Sequence, residues 1–443
     1  MSASQQFERV FRMLMPGPFG LALLLTAVAA LLSLSIGGHS LIELSKHWQR
    51  GFWDPSMMVF TLQMALILIL GYSVAVSPPI TLLIARATLL LRNQSQALVT
   101  LCLLSMLLCW VNWGLGLIVG AIVARKIAED FQKRNIAFYY PLLGAAGYSG
   151  MMTWHSGISG SAPLKAAENN HLIELSGIAD APVYIPLRDT VLSLSNLTLF
   201  VLLLFLVPLT LLIFRKRQSN EEPLAPFKSE QHAQGKTSGA ERFENTRLPA
   251  LLTGLALAAA TITNSITSNE GFGPNTLNAI FLSFALVTYG SLSHFLKSIR
   301  AGMDGAASII IQFPFYFGIM GILRYGGLID SLTTWFTNVG SDNGIMLSIM
   351  GSAGLVNFFV PSGGGQWAVQ GPLIISICDA ANIPLQKGIM TMAYGDQLTN
   401  MLQPFWALPL LAITGLKAHR VLPYTFLIML VGALVYTIAL LVT

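Results

Sequence analysis

The stretch Gly354 to Pro372, GLVNFFVPSGGGQWAVQGP, limits what this chain can fold into more than any other. It stands among long apolar runs, yet Pro361 is followed by Ser362, Gly363, Gly364 and Gly365. Proline removes a backbone donor, and each glycine gives up about 1 kcal/mol of helix propensity. A lipid interior offers no water to the freed amides, so broken backbone survives there only within protein or beside a wet cavity. The stretch is therefore the first candidate for a binding site.

The surrounding runs define the class. Of 443 residues, 54% are apolar and 10% charged, against about 25% charged in a soluble domain. Many runs reach the roughly 18 residues that mark a membrane helix. The expectation is an all-α polytopic membrane protein whose partner is the lipid bilayer. Spans are expected over 18–36, 57–76, 138–154, 191–214, 248–267, 276–296, 306–323 and 422–441. A shorter helix is expected over 80–91 and an amphipathic piece over 328–339. Lys46, His47, Trp48, Arg50, Phe52 and Trp53 read as a loop at headgroup level. Arg9 and Arg12 precede the first run with no small-residue cleavage site after it, so that run reads as a retained helix. Cys102, Cys109 and Cys378 are scattered in apolar contexts and suggest neither a disulfide framework nor a metal site. No basic stripe with interleaved aromatics points to nucleic acid. No HExxH, GxSxG or nucleotide loop points to an enzyme. No cofactor is expected beyond a bound Na+.

Lysine and arginine in short loops set orientation. They place the N-terminus in the cytoplasm, the acidic loop 165–189 outside and the polar linker 215–247 inside. This holds only if 96–124 enters and leaves on one side, as a re-entrant hairpin with its tip near Asn112. The same count makes 344–378 a second hairpin, opening outward, with its tip at the opening stretch. One long tilted helix is the competing reading of each. The expected units are 1–214 (a membrane repeat with hairpin 96–124), the cytoplasmic linker 215–247, and 248–443 (a second repeat with hairpin 344–378).

The halves share an order of features. Gln63 opens QMALILILG and Gln312 opens QFPFYFGIMG. VNW at 111–113 then matches VNF at 356–358, and a broken segment follows each, at His155–Pro163 and Tyr394–Pro404. Opposite parity makes this an inverted repeat, which places a substrate site near the midplane between the halves.

The chemistry of such a site follows from what the breaks contain. None of them carries Arg or Lys; they offer Asn, Ser, Thr and glycine amides at half-helix starts. A helix N-terminus carries about half a positive charge and free amide donors, so it binds an anion without a cationic side chain. Asn357, Ser362, Gly363, Gly364 and Gly365 are assigned to one wall of an anion pocket, and Asn112, Ser159, Gly160 and Ser161 to the other. Gln312, polar within a span, is a further candidate substrate contact, with a packing hydrogen bond between helices as the competing account. Gly114, Gly116 and Gly120 read as helix-packing residues. Asp396 lies within a span, where a carboxylate is costly and is functional by default. It is assigned to the coupling ion, either taking a proton or joining a sodium site with Thr399 and Asn400; the competing reading has it at a wet hairpin mouth, capping a half-helix. His155 could titrate near neutral pH or serve as a satisfied polar residue in a helix break.

These residues also carry a resemblance. VNWGLGLIVGA at 111–121, SGSAPL at 159–164, QFPFY at 312–316, VPSGGGQW at 360–367, VQGP at 369–372 and QPFWALP at 403–409 resemble the short-chain fatty acid uptake transporters (AtoE-type acetoacetate and butyrate carriers). The resemblance runs over essentially the whole chain. It implies a bacterial inner-membrane secondary transporter, a cation-coupled symporter of small monocarboxylates. It also implies kinship with the ion-transporter superfamily, an elevator-like mechanism and, by analogy, a homodimer. A family-like AYGEQ stands here as AYGDQ, and His155 occupies a position where a small residue is expected. A Na+/H+-type ion exchanger or a dicarboxylate carrier on the same fold are the alternatives.

Overall fold

Seven of the longer helices begin where a short polar side chain caps them, and several others open on proline. Asp54 accepts from the Ser56 and Met57 N–H groups ahead of a helix with Pro55 at its start. Asn93, Asn112, Ser193, Ser291 and Ser362 each accept from the backbone three residues on. The computed structural model describes residues 18–36, 39–215, 241–267, 273–328, 334–336, 338, 340–359 and 362–442. Its longer helices are α1 Pro18–Ile36, α2 Leu41–Phe52, α3 Pro55–Ala75, α4 Pro78–Thr88, α5 Gln94–Val111, α6 Trp113–Lys133, α7 Tyr140–Tyr148 and α8 Leu194–Ile213. The second half contributes α9 Arg247–Thr267, α10 Pro274–Tyr289, α11 Leu292–Tyr325, α12 Asp342–Phe359, α13 Gly363–Ala380, α14 Leu385–Asn400, α15 Pro404–Thr414 and α16 Ala418–Val442. Among the described residues, five helices (α3, α5, α8, α9 and α16) are long and apolar enough to cross a membrane, and the bent α11 brings the number to as many as six.

Several boundaries differ from expectation for local reasons. The segment read as a headgroup loop is helix α2. Ser40 and Glu43 form a reciprocal capping box at its start. The expected span 276–296 ends early, because Gly290 turns into the left-handed region at φ 62°. Ser291 then caps a new helix, α11, which joins the rest of that span to the next and bends by 46° between Asp304 and Ile309. The first break begins at the 3-10 turn Ser149–Met152, ahead of His155. The second break is shorter than expected: α14 runs through Tyr394, Asp396, Thr399 and Asn400, and the chain leaves it at Met401. Gly363–Gly365 form the first turn of α13 under the Ser362 cap. Pro361, most of the linker 215–247 and most of the piece 328–339 lie outside the described residues.

Packing between the halves is reciprocal. α5 and α6 pack on each other about Asn112, and α5 also lies on α7, the helix leading into the first break. Correspondingly, α12 packs along α14, the helix leading into the second break. The short helix Ser161–Ala166 after the first break packs on α13, and α15 after the second break packs on α6. α3 supports α6 while its counterpart α11 supports α13, and α3 and α11 pack together. Each half thus lends its post-break helix to the other half's broken pair.

Candidate functional site

The glycine turn is built against aromatic rings. An added Cβ at Gly363 would lie 2.5 Å from Trp154 and 2.9 Å from the His155 ring. At Gly364 it would meet Phe313 at 2.9 Å and Phe60 at 3.0 Å, and at Gly365 the Tyr316 ring at 2.5 Å. Only a residue without a side chain lets this helix start approach so closely. On α11, then, the residues against the tip are Phe313 and Tyr316, neighbours of Gln312; Gln312 itself is half-buried.

The ring that meets Gly363 also meets Asp396. His155 Nδ1 and Asp396 Oδ2 are in direct contact, and both side chains have 0% exposure. The Ala162 N–H donates to His155 Nε2 at 3.2 Å. The ring proton therefore sits on Nδ1, facing the carboxylate. Asp396 Oδ1 has no protein partner. The imidazole stacks on Trp154 at 4.6 Å, and Trp154 packs with Trp113 and Trp406 in a cluster that walls this side.

Thr399 and Asn400 turn elsewhere. Asn357 Nδ2 lies 2.8 Å from the Asp396 carbonyl, 2.9 Å from Thr399 Oγ1 and 2.6 Å from Asn400 Oδ1. Thr399 Oγ1 also donates to the Gly354 carbonyl, and Gln403 donates to the Asn357 carbonyl. The buried oxygens Asn357 Oδ1, Gln366 Oε1 and Gln403 Oε1 have no protein partner. Such groups are costly in a dry interior and mark a polar, chemically unfinished region.

On the first-half wall the polar atoms are used locally. Asn112 Oδ1 caps α6, and its Nδ2 donates to the Ile67 carbonyl. Ser159 Oγ accepts the Trp113 N–H at 2.9 Å, and Ser161 Oγ faces Met64 Sδ. A Cβ at Gly160 would strike the His155 carbonyl. These four position the break, and His155 is the group they deliver to Asp396. Gly114, Gly116 and Gly120 pack against Leu68, Cys109 and Gly147.

Sequence reasoning passed over Lys165, which it placed in an outer loop. It is 3% exposed, paired with Glu168 and donating to Gln63 Oε1 at 3.3 Å. Its ammonium lies 5.2 Å from the Phe60 ring centre. Phe60 is the same ring that meets Gly364. The signal was its position two residues after Pro163, inside the turn that follows the break. An apolar groove between α9 and α10, lined by Ile262, Ile280 and Phe284, contributes none of these groups.

Comparison with known proteins agrees with this architecture. Residues 2–443 match the family described as short chain fatty acid transporter. A relative from Escherichia coli K12, provisionally named a short-chain fatty acid transporter, is 33% identical over 435 residues, 96% of each chain. One from Haemophilus influenzae, named in the same way, is 32% identical over 438 residues, again 96% of each. Among solved structures, the fold is similar to the Alcanivorax borkumensis YdaH transporter, described as having an unusual topology. That likeness has TM-score 0.56 at 15% identity, covering 96% of this chain and 98% of that one. It is also similar to Neisseria gonorrhoeae MtrF, from a class of antimetabolite efflux pumps, with TM-score 0.54 at 13% identity over 98% and 97% of the two chains. These relatives are transporters and not enzymes, and by sequence over its whole length this multi-pass membrane protein belongs to the short-chain fatty acid transporter family.

Proposed function

We propose that the chain is a cation-coupled symporter that carries short-chain monocarboxylates such as butyrate or acetoacetate across the bacterial inner membrane. The carrying observation is the meeting of the capped glycine start of α13 with the buried His155–Asp396 pair. A helix start supplies anion affinity, and a buried carboxylate supplies a cation-dependent charge. Tryptophan and phenylalanine rings around them suit a short acyl tail. In this reading Ser362, Gly363, Gly364 and Gly365 receive the substrate, with Asn112, Ser159, Gly160, Ser161, Asn357 and Gln312 lining or shaping the path. Asp396, Thr399 and Asn400 serve the coupled cation, proton or Na+. The two broken pairs are re-entrant hairpins of an inverted repeat. They move against the remaining helices in an elevator-like step, with the N-terminus in the cytoplasm and two copies assembling as a homodimer.

Asp396 is the one fully buried acid among the described residues. That disfavours a cation exchanger, which needs more intramembrane carboxylates to load ions in turn. A dicarboxylate would bring a second charge against the aromatic wall, where the nearby cation, Lys165, is already paired with Glu168. The test is uptake of labelled butyrate or acetoacetate into proteoliposomes, with sodium and proton gradients imposed separately and flux into protein-free vesicles subtracted. Gradient-driven accumulation is expected; no uptake of any short-chain acid under either gradient rejects the reading.

A further inference from the structure

The coupling ion follows from how Asp396 is surrounded. Its Oδ2 meets an imidazole nitrogen and its Oδ1 meets no donor. The hard oxygens that would hold sodium lie on the other side of the residue. Thr399 Oγ1 and Asn400 Oδ1 face the Asn357 amide together with the Asp396 main-chain carbonyl, and not the Asp396 carboxylate. With the Ala162 N–H on Nε2 and the carboxylate ionised, the pair holds one proton and one net negative charge, with no exposed surface. The edge of the same imidazole abuts Gly363, at the anion-attracting start of α13.

Resting on the carrier reading above, we infer that His155 and Asp396 form a single proton site whose loading is required for the substrate carboxylate to bind. While the pair is anionic, it opposes a second negative charge at Gly363–Gly365, and low dielectric makes that opposition strong. One proton taken from solution onto the pair leaves it neutral overall, as imidazolium beside carboxylate or as imidazole beside carboxylic acid. The helix start is then free to hold the anion. Proton and carboxylate cross together and leave together, so each cycle moves no net charge. His155 thereby gains a role that its unexpected size in this position left open.

Other titratable groups on the surrounding elements are engaged elsewhere. Lys165 is held by Glu168 and Gln63, and the Tyr148 hydroxyl by the Asn400 carbonyl. Tyr394 donates to Asn196 Oδ1, and Tyr436 meets Gln397 and the Met152 carbonyl. His171 Nε2 accepts from the Trp367 indole, and Cys378 packs against Gly388. The acids Asp342 and Asp379 stand exposed at the outer ends of α12 and α13, and Lys387 lies in the first turn of α14. None of them competes for the proton at Asp396.

The experiment measures potassium butyrate and potassium acetoacetate binding to the purified full chain in sodium-free, weakly buffered detergent solution, with a pH dye recording proton uptake. Wild type is expected to take up about one proton per bound acid, and its affinity to fall about tenfold per pH unit once the pair is deprotonated. In Asp396→Asn the proton uptake and the pH slope should vanish while binding persists; in His155→Gln the slope should move to a different pH. Should either variant misfold, the wild-type proton count alone decides. Binding without proton uptake, or binding that requires sodium, overturns the proton site and leaves the carrier reading standing. Failure of wild type to bind either acid, with or without sodium, counts against both.

Discussion

Lys165 shows how one residue can change the electrostatics of a site that seemed to lack cations. Its ammonium is buried, but its partner Glu168 is 32% exposed. On the proposed reading, an incoming carboxylate would compete with Glu168 for the same charge, one phenyl ring away from Gly364. Lys165→Met is expected to raise the KM for butyrate about tenfold, and Glu168→Gln to lower it. Initial uptake rates over a range of butyrate concentrations check both, and an unchanged KM in the pair of variants removes Lys165 from recognition. The glycines need more care as probes. Valine at Gly364 must displace Phe60 and Phe313, so a loss of transport there reads packing and binding together. At this scale the sequence disclosed Asp396, Asn357 and the glycine turn, because a carboxylate, an amide and a glycine run are conspicuous in apolar surroundings. It could not disclose that Thr399 and Asn400 bond to Asn357, since that depends on which face of a continuous α14 each residue occupies.

Elements were legible where a local signal was strong. Apolar runs placed the starts of α3 and α5 within a few residues, and the Pro-Ser-Gly run marked the start of α13. α2 was missed because charged and aromatic residues at a membrane edge look like a loop, although Ser40 and Glu43 spell a capping box. The Glu43 carboxyl is held below its usual range by the Ser40 backbone N–H first and the Ser40 hydroxyl second. That contribution to the helix start is present above the ordinary carboxylate range and is lost as pH falls through the lowered value. Small residues set how closely elements meet. A Cβ at Gly120 would strike the Gly147 carbonyl, and one at Gly147 the Gly120 carbonyl. Gly120→Val should therefore prise α6 from α7 at a cost of about 1–3 kcal/mol. A lowered thermal midpoint of the detergent-solubilised protein measures it, and an unchanged midpoint shows that the contact is not tight.

For the molecule as a whole, the order of features in the two halves led to the expectation that each contains a broken pair and a later break. It did not foretell the exchange of post-break helices, which brings His155 to Asp396 across 241 positions. Slight identity between halves suggests a repeat but says nothing about which side chains meet between them. That exchange places Trp154 in a particular situation: its indole stacks on the imidazole that bonds Asp396, and touches the glycine turn on its other edge. An imidazolium withdraws electron density from an excited indole, whereas neutral imidazole does so weakly. If the proposed loading puts the proton on the imidazole, the state of the pair is coupled to light emission from a residue the chain already carries. Emission should dim on acidification and respond again to butyrate, with both effects lost in Trp154→Phe and the pH response lost in His155→Gln. The proposed proton step would then be read optically, and in real time.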